Sequence, residues 1–128
     1  SQSAYSAAGL TANDMDLAEV HDCFTIAELM ATEDLGFSEH GQGGIFAREG
    51  NGIRNEGSVC INPSGGLKSK GHPLGATGTG QAVEVFKQLR GSVENTRQVR
   101  DAEIGLTHNV GGSGATCAVH IFGRDRNV

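Results

Sequence analysis

The sequence predicts an α/β fold, in which helices cover a short sheet. Residues 115–122 are apolar at nearly every position, which is typical of a strand that is covered on both faces. Apolar residues also recur on one helical face further upstream, at Ala82, Val83, Phe86 and Leu89. The 128 residues are enough for one domain.

The N-terminal third is predicted to contain two helices with a strand between them. Residues 4–8 have the pattern of the last turns of a helix that a glycine stops, and 17–21 form a strand candidate. Thr25 and Glu28 have the spacing of a capping box, in which each side chain accepts a hydrogen bond from the other residue's backbone N–H. A second helix is therefore predicted from this point to about Leu35.

Glycine-rich segments dominate the middle of the chain. Twelve of the 20 glycines fall between positions 41 and 80, which indicates backbone at unusual angles or in close approach to another group. With two prolines and no three-residue period, the chain is neither collagen-like nor Pro/Gly-rich disordered. The remaining predicted elements are a long loop over 37–55, a strand over 58–61, turns through 62–78, and two strands over 103–108 and 115–122 around a turn at 109–114.

Charge and cysteine usage exclude several function classes. The net charge is −5, and the stretch from Asp14 to Asp34 holds seven acids and no Lys or Arg, which argues against nucleic-acid binding. No run approaches the roughly 18 apolar residues of a membrane span. Cys23, Cys60 and Cys117 contain no C-x-x-C pair, so that neither a disulfide framework nor a metal site is indicated. A reducing, cytoplasmic location is expected.

Three histidines lie at predicted strand or helix ends, where catalytic groups are often placed. His21 and Cys23 share a tight strand-to-helix turn, and His72 and His108 lie in further glycine-flanked turns. A histidine and a cysteine supply a proton acceptor and a thiol that can both be tuned near neutral pH. A structural role remains the alternative for each histidine alone, and it is our interpretation of His120.

Other interpretations of the same segments are weaker. The spacing of Gly66 and Gly71 begins like a phosphate-binding P-loop, but His72 stands where the lysine is required. Residues 75–78 open a helix and offer free N–H groups to an anion, but they do not fit a dinucleotide fingerprint. The nearby lysines, Lys68 and Lys70, are interpreted as a solvated pair, and the strand cysteines, Cys60 and Cys117, as buried small hydrophobes.

Four motifs together resemble the C-terminal part of a thiolase. They are His-Asp-Cys-Phe at 21–24, Asn-Pro-Ser-Gly-Gly at 62–66, Gly-His-Pro-Leu-Gly-Ala-Thr-Gly at 71–78, and His-Asn-Val-Gly-Gly-Ser-Gly at 108–114. Their order and spacing cover nearly the whole chain. Within the superfamily the first motif is most similar to archaeal acetyl-CoA acetyltransferases and sterol-carrier-protein-type thiolases.

This resemblance implies a thiolase-like layered α-β-α-β-α fold built from two similar halves, of which residues 1–128 are most of the C-terminal half. The implied activity is that of an acyl-CoA C-acyltransferase: Claisen condensation, or thiolytic cleavage of acetoacetyl-CoA or another 3-ketoacyl-CoA. The implied substrate is a coenzyme A thioester, with no further cofactor. The family's nucleophilic cysteine lies in the N-terminal half, so this chain alone is expected to be inactive.

The resemblance also implies roles for individual residues. His72 matches the histidine that activates the nucleophilic cysteine and donates to the thioester oxygen, and His21 completes the same oxyanion hole. Cys23 is the expected acid/base at the reacting carbon, because His108 occupies the position where most thiolases carry a second catalytic cysteine. The backbone N–H of Val110 is expected in a second oxyanion hole.

Further residues are expected to shape or support this site. The loop that shapes the acyl pocket comprises Asn109, Val110, Gly111 and Gly112. The supporting motif residues are Asn62, Gly65, Gly66, Gly71, Pro73, Gly75 and His108.

Two alternatives keep the fold and change the function. One is a thiolase-like retro-aldolase that cleaves CoA thioesters, and the other is a non-catalytic assembly partner. The implied partners are the N-terminal thiolase half and further copies in a homo-oligomer. A hydroxymethylglutaryl-CoA synthase and an OB-fold protein are additional candidates, and neither nucleic acid nor a membrane is expected.

Overall fold

The structure is a computed structural model that describes residues 1–125. Within this range the helices are α1 (Gln2–Ala8), α2 (Thr25–Asp34), α3 (Gly43–Arg48), α4 (Gly66–Lys70) and α5 (Thr77–Leu89), and the strands are β1 (Leu17–Glu19), β2 (Cys60–Ile61), β3 (Ile104–Gly111) and β4 (Thr116–Gly123). None of the helices in this range is long and apolar enough to cross a membrane.

The four strands form one mixed sheet in the order β2-β1-β3-β4. β1 is parallel to both β2 and β3, and β4 runs antiparallel to β3. Because β1, β2 and β3 share a direction, their carboxyl ends meet at one edge of the sheet. His21 and Asn62 follow β1 and β2 at that edge. His108 lies there within β3, which extends past the end of β1.

Helices pack on both faces of this sheet, so the predicted α/β class is confirmed. On one face, Ala18 and Leu106 of the sheet form a buried cluster with Leu35, which follows α2, and with Phe46 of α3. On the other face, Leu17 and Cys60 pack against Val85 and Leu89 of α5. Leu17 and Ala18 point to opposite faces because strand side chains alternate.

Helix α5 presents to the sheet a different face from the one that its apolar spacing predicts. Val83 and Phe86 are 45% and 56% exposed, whereas Gln81 and Gln88 are almost fully buried beside Val85. The buried amides are satisfied by the sheet and its loops: the Gln81 Nε2 donates to the carbonyl of His108 at 3.0 Å. The part of the predicted apolar face that holds Val83 and Phe86 is therefore not the part of α5 that covers this sheet.

Strand β4 is also less covered than predicted. It is an edge strand, and although α1 and α5 contact it from opposite faces, the segment 116–118 is exposed and Val119, Ile121 and Phe122 are only half-buried. Cys60 is buried as predicted, but Cys117 is exposed, which contradicts the prediction for that cysteine. Beyond its last helix contact, this edge strand is covered by nothing among residues 1–125.

Three local predictions need correction. Helix α2 begins at Thr25 with Phe24 as the N-cap and without a side-chain capping bond, so the capping box does not form. Helix α3 lies inside the predicted loop 37–55, where the N–H of Gly43 donates to the Glu33 Oε1 at 2.7 Å. Helix α4 lies inside the predicted turns, and β3 continues to Gly111, which shortens the predicted turn.

Candidate active site

His21 and His72 meet at the carboxyl edge of the sheet. Their ring centroids are 4.9 Å apart and the rings are nearly perpendicular, at 80°. His21 follows β1 and is 7% exposed, whereas His72 follows α4 across Gly71, whose φ of 82° and ψ of 172° suit a glycine. Two histidines that are 51 positions apart in sequence thus pack with their rings edge to face.

The surroundings of His72 select one form of its imidazole ring. The Thr77 hydroxyl donates its proton to the carbonyl of Pro73 at 3.2 Å. The same oxygen lies 2.7 Å from the His72 Nδ1, and it must accept there because its one proton is already used. We therefore assign the ring proton of His72 to its Nδ1, which leaves the lone pair of a base on the Nε2.

His21 is held in its neutral form. Burial lowers its pKa and the neighbouring His72 lowers it further, against the opposing effect of the Asp22 carboxylate. Its Nδ1 is buried and has no hydrogen-bond partner among residues 1–125. A neutral histidine in this position can donate one hydrogen bond without adding a charge beside His72.

Asp22 fastens this turn to helix α4. Its two carboxylate oxygens accept from the backbone N–H of Leu67, at 2.9 and 3.2 Å. Gly66 has a φ of 68°, and a Cβ there would overlap the Asp22 carboxylate. Gly65 precedes it with a φ of 90°. Gly66 is thus required for the close approach to Asp22, and Gly65 for its positive φ beside the Ser69 side chain, which explains the Gly-Gly pair of the motif.

Cys23 and His72 both line a cavity of about 710 Å³. The cysteine is exposed. The cavity is lined by Asp22, Cys23, Phe24, Thr25, Glu28, Leu29, Leu67, Lys68 and His72. A thiol and an imidazole that open onto one mixed polar and apolar space can both reach a small bound ligand.

Glu28 is a cavity residue that sequence reasoning did not assign to the site. Its Oε2 accepts from the Asn62 Nδ2 at 3.2 Å, while the Asn62 Oδ1 accepts from the N–H of Val20 at 2.8 Å. Burial raises the pKa of Glu28, as does the nearby Asp22 carboxylate, and the Asn62 hydrogen bond opposes both. Asn62, with a φ of 49°, therefore ties the end of β1 to helix α2. The capping box predicted that the Glu28 carboxylate accepts from the N–H of Thr25, whereas it accepts from the Asn62 side chain.

His108 and Asn109 lie on β3 behind the histidine pair. His108 is 9% exposed, and burial lowers its pKa, with a smaller effect of His21 in the same direction. Its Nδ1 has no partner in the described part of the chain. The Asn109 Nδ2 donates to the Gln81 Oε1 at 3.2 Å, and Asn109 packs against Gly78. These residues fix β3 against α5.

The N–H of Val110 points past the end of β1. The carbonyl of Ile104 points toward β1, where it accepts from the N–H of Asp16 at 3.0 Å. The carbonyl of the preceding residue, Glu103, points toward β4, where it accepts from the N–H of Arg124 at 2.8 Å. Successive backbone groups of a strand point to opposite neighbours, so Val110 points toward β1. Since β1 ends at Glu19 opposite Thr107, this N–H is directed beyond the strand, at the edge where His21 lies.

The remaining predicted site residues surround this edge without lining the cavity. Pro73 supplies the carbonyl that accepts from Thr77, Gly75 has open space around it, and Gly111 ends β3. Gly112, with a φ of 57°, begins the 3₁₀ turn to β4. The structure thus brings His21, His72 and Cys23 together and leaves the tip of the β3–β4 hairpin apart from them.

The interpretation of Lys68 and Lys70 as a solvated pair is confirmed for Lys68 only. Lys68 is exposed on the rim of the cavity. Lys70 instead donates to the buried Glu19 carboxylate at 2.9 Å. The sequence offers no periodic signal for this ion pair, because its two members are 51 positions apart.

Comparison with known proteins supports the assignment of this fold. The family described as "Thiolase C-terminal domain-like" matches residues 1–124. An aldolase structure, "Ltp2-ChsH2(DUF35) aldolase", superimposes with a TM-score of 0.82 and 28% identity over 99% of this chain and 31% of that one. The thiolase-like α/β fold that the motifs imply is confirmed.

Several curated proteins are similar in sequence. The chain is 57% identical to the acetyl-CoA acetyltransferase of Methanothermobacter thermautotrophicus, over 96% of its own length and 32% of that protein. It is 41% identical to the acetyl-CoA acetyltransferase of Methanocaldococcus jannaschii, over 98% of its length and 33% of that protein. It is 50% identical to human sterol carrier protein 2, over 87% of its length and 20% of that protein.

The chain thus spans a third or less of the length of these curated relatives. The match to the family covers nearly every residue, and the structural similarity extends over the whole sheet and its helices. The chain therefore belongs to the thiolase C-terminal domain-like family.

Proposed function

We propose that this chain supplies the C-terminal part of the active site of an acetyl-CoA acetyltransferase-type thiolase. The observation that carries the proposal is the pairing of His72, with its Nε2 free as a base, against a neutral His21 beside a cavity that also holds Cys23. Such a site suits the transfer of an acyl group between thiols, which needs a base for a thiol and hydrogen-bond donors for an oxyanion.

In the proposed first step His72 acts as the base for the nucleophilic cysteine of the N-terminal half. The His72 Nε2 takes the thiol proton, and the thiolate attacks the carbonyl carbon of acetyl-CoA. The neutral His21 donates a hydrogen bond to the oxygen on which negative charge develops. When the carbonyl re-forms, the carbon–sulfur bond to coenzyme A breaks, and its thiolate takes the proton from His72.

In the proposed second step Cys23 is the base for the second substrate. Its thiolate takes a proton from the α-carbon of another acetyl-CoA, and the N–H of Val110 donates to the resulting enolate oxygen. The α-carbon attacks the acetyl group on the enzyme, the bond to the nucleophilic cysteine breaks, and the leaving thiolate is reprotonated by the proton that Cys23 took up. Acetoacetyl-CoA is formed, and the same steps in reverse give thiolysis.

We propose that the N-terminal half covers the exposed apolar surface of α5. Val83 and Phe86 point away from the sheet of this chain, while the opposite face of α5 buries Gln81, Glu84 and Gln88. A helix with apolar residues on its outer face suits a position between two layers. The curated relatives have two-thirds or more of their length outside the matched region, which is enough chain for such a layer.

The test uses the complete thiolase, by which we mean this chain together with that N-terminal half. With acetoacetyl-CoA and coenzyme A it should form acetyl-CoA, and this chain alone should not. Cys23→Ala should abolish hydrogen exchange at the α-carbon of acetyl-CoA but leave acylation of the enzyme largely intact. Cys117→Ala is the matched control and should exchange normally. Normal exchange by Cys23→Ala would contradict the proposed role.

A second function is supported by the structural neighbour, which is named an aldolase and is 28% identical to this chain. A retro-aldolase breaks a carbon–carbon bond of a CoA thioester without an acyl-enzyme, so it would form no acetyl-CoA from acetoacetyl-CoA and coenzyme A. The same assay therefore separates the two functions. Cys23 in the cavity wall favours the thiolase, because an acid/base thiol then opens onto the same cavity as His72.

A further inference from the structure

An ion pair with a buried carboxylate connects the two segments that carry His21 and His72. The Lys70 Nζ lies 2.9 Å from the Glu19 Oε2, with 28% of the lysine side chain and 1% of the glutamate side chain exposed. Glu19 is two residues before His21, and Lys70 is two residues before His72. The pair thus joins the two backbone segments at the same sequence distance from each histidine.

Ser64 completes the polar contacts of this pair. Its hydroxyl donates to the Glu19 Oε2 at 2.7 Å and accepts from the Lys70 Nζ at 2.8 Å. The N–H of Ser64 donates to the other oxygen of Glu19 at 2.9 Å. The buried carboxylate therefore has a partner for both oxygens, which is the condition under which a buried charge is tolerated.

Helix α4 is fastened at both ends by residues that flank His21. Asp22 accepts from the N–H of Leu67 in the first turn, and Glu19 binds Lys70, the last helical residue. A five-residue helix is far too short to be stable by itself. Its orientation, and hence the position of His72 after it, must come from these tertiary contacts.

We propose that Glu19 and Lys70 are positioning residues that set His72 against His21. A buried ion pair contributes little net stability, because desolvation offsets most of the attraction, so its value here is geometric. Glu19 is fully buried and does not line the cavity, so it acts through the backbone that leads to each ring. The kinetic part of this proposal rests on the proposed thiolase function.

The choice of variants follows from burial. Lys70→Met alone leaves the Glu19 carboxylate buried without its cation, which is strongly destabilising. The double variant Glu19→Gln/Lys70→Met removes both charges and keeps an amide that can bond Ser64. Lys70→Arg keeps the charge, and Glu33→Gln is the matched control, since Glu33 also binds a backbone N–H but lies away from the histidines.

The first readout is the ring contact itself, measured by NMR on the 128-residue chain. The wild-type chain should show a nuclear Overhauser effect between the ring protons of His21 and His72. The double variant should lose it, while Lys70→Arg and Glu33→Gln should keep it. If the double variant does not fold, Ser64→Ala replaces it, because this change removes the hydroxyl that bonds both charges. The Overhauser effect between the two rings should then weaken, and an unchanged effect would contradict the proposal.

The second readout is kinetic, in the complete thiolase. Misplacing a catalytic group by about 1 Å can cost on the order of a hundredfold in rate, so kcat of the double variant should fall about 10- to 100-fold. KM should change less than about threefold, because the cavity lining is untouched, and Lys70→Arg should restore kcat. A folded double variant that keeps both the ring contact and kcat would overturn the proposal. If the wild-type enzyme shows no thiolase activity, the proposed function fails, and the ring contact still decides the positioning proposal.

Discussion

The two ends of the candidate site differ in how completely this chain builds them. At the β1–α4 end, His21 and His72 are held by contacts from Asp22, Thr77 and the Glu19–Lys70 pair. At the tip of the β3–β4 hairpin, residues 111–118 are exposed and no side-chain hydrogen bond is made by them within residues 1–125. The first region is preorganised by its own sequence, whereas we propose that the second is completed by the N-terminal half.

Cysteine reactivity should show the largest difference between the regions. Burial raises the pKa of Cys60 to about 12, whereas Cys23 and Cys117 are exposed. Because alkylation needs the thiolate, Cys60 should react at least about a thousandfold more slowly than an ordinary thiol of pKa about 8.5. In the complete thiolase, Cys117 should become protected while Cys23 remains reachable through its cavity. Mass spectrometry after iodoacetamide treatment measures all three, and rapid labelling of Cys60 would contradict the packing described.

A glycine substitution should separate the regions by stability. Gly66→Ala places a methyl group against the Asp22 carboxylate at a φ of 68°, and overlap plus strain should cost about 3 kcal/mol. Gly112→Ala at the hairpin tip has a φ of 57° but meets only the Ala115 Cβ at 3.5 Å, so strain of about 1 kcal/mol is expected. Urea unfolding of the chain measures both. Equal losses would show that the β1–α4 end is no more constrained than the tip.

The hydrogen bond that orients His72 should have a smaller, catalytic effect. Thr77→Val removes the acceptor for the Nδ1 at nearly constant volume, so kcat of the complete thiolase should fall about tenfold, which is part of the roughly hundred- to ten-thousandfold that a general base contributes. KM should be nearly unchanged, because Thr77 does not line the cavity. Thr96→Val, on an exposed loop, is the isosteric control. A rise in KM with constant kcat would assign Thr77 to binding instead.

The smallest expected effect is on the pH dependence of stability. His21 and His108 have lowered pKa values in the folded chain, so the unfolded chain binds more protons as the pH falls below about 6.5. Their contribution is complete above that pH and is lost on acidification, while the raised pKa of Glu28 acts in the opposite direction. The urea midpoint should therefore fall less with acidification in His108→Gln than in the wild type. His120→Gln, at an exposed position, should keep the full pH dependence.

Much of the β1–α4 end was predictable from sequence, because its motifs place histidines directly after strands. Helix α4 was not predictable, because the glycines of its motif are typical of a turn. The positive φ angles of Gly65 and Gly66 are also typical of a turn. The ion pair that fastens α4 has no local signal at all, because Glu19 and Lys70 meet only when β1 and α4 are already packed.

The errors on α5 and β4 have a common physical cause. Hydrophobic periodicity assigns apolar residues to the interior, yet Val83 and Phe86 are exposed while Gln81 and Gln88 bond to the sheet and its loops. The same assumption predicted a covered β4. Periodicity identifies apolar faces but does not say which chain covers them, and we propose that here the cover is the N-terminal half.

The protonation of His72 tests the central claim most directly, because the proposed chemistry needs a base already oriented within this chain. Nitrogen-15 NMR of the histidine rings at a pH of about 7.5 distinguishes the two neutral forms. The structure predicts that the His72 Nδ1 carries the proton and that the Nε2 has the shift of an unprotonated nitrogen, with the preference lost in Thr77→Val. A wild-type His72 protonated at the Nε2 would contradict the account.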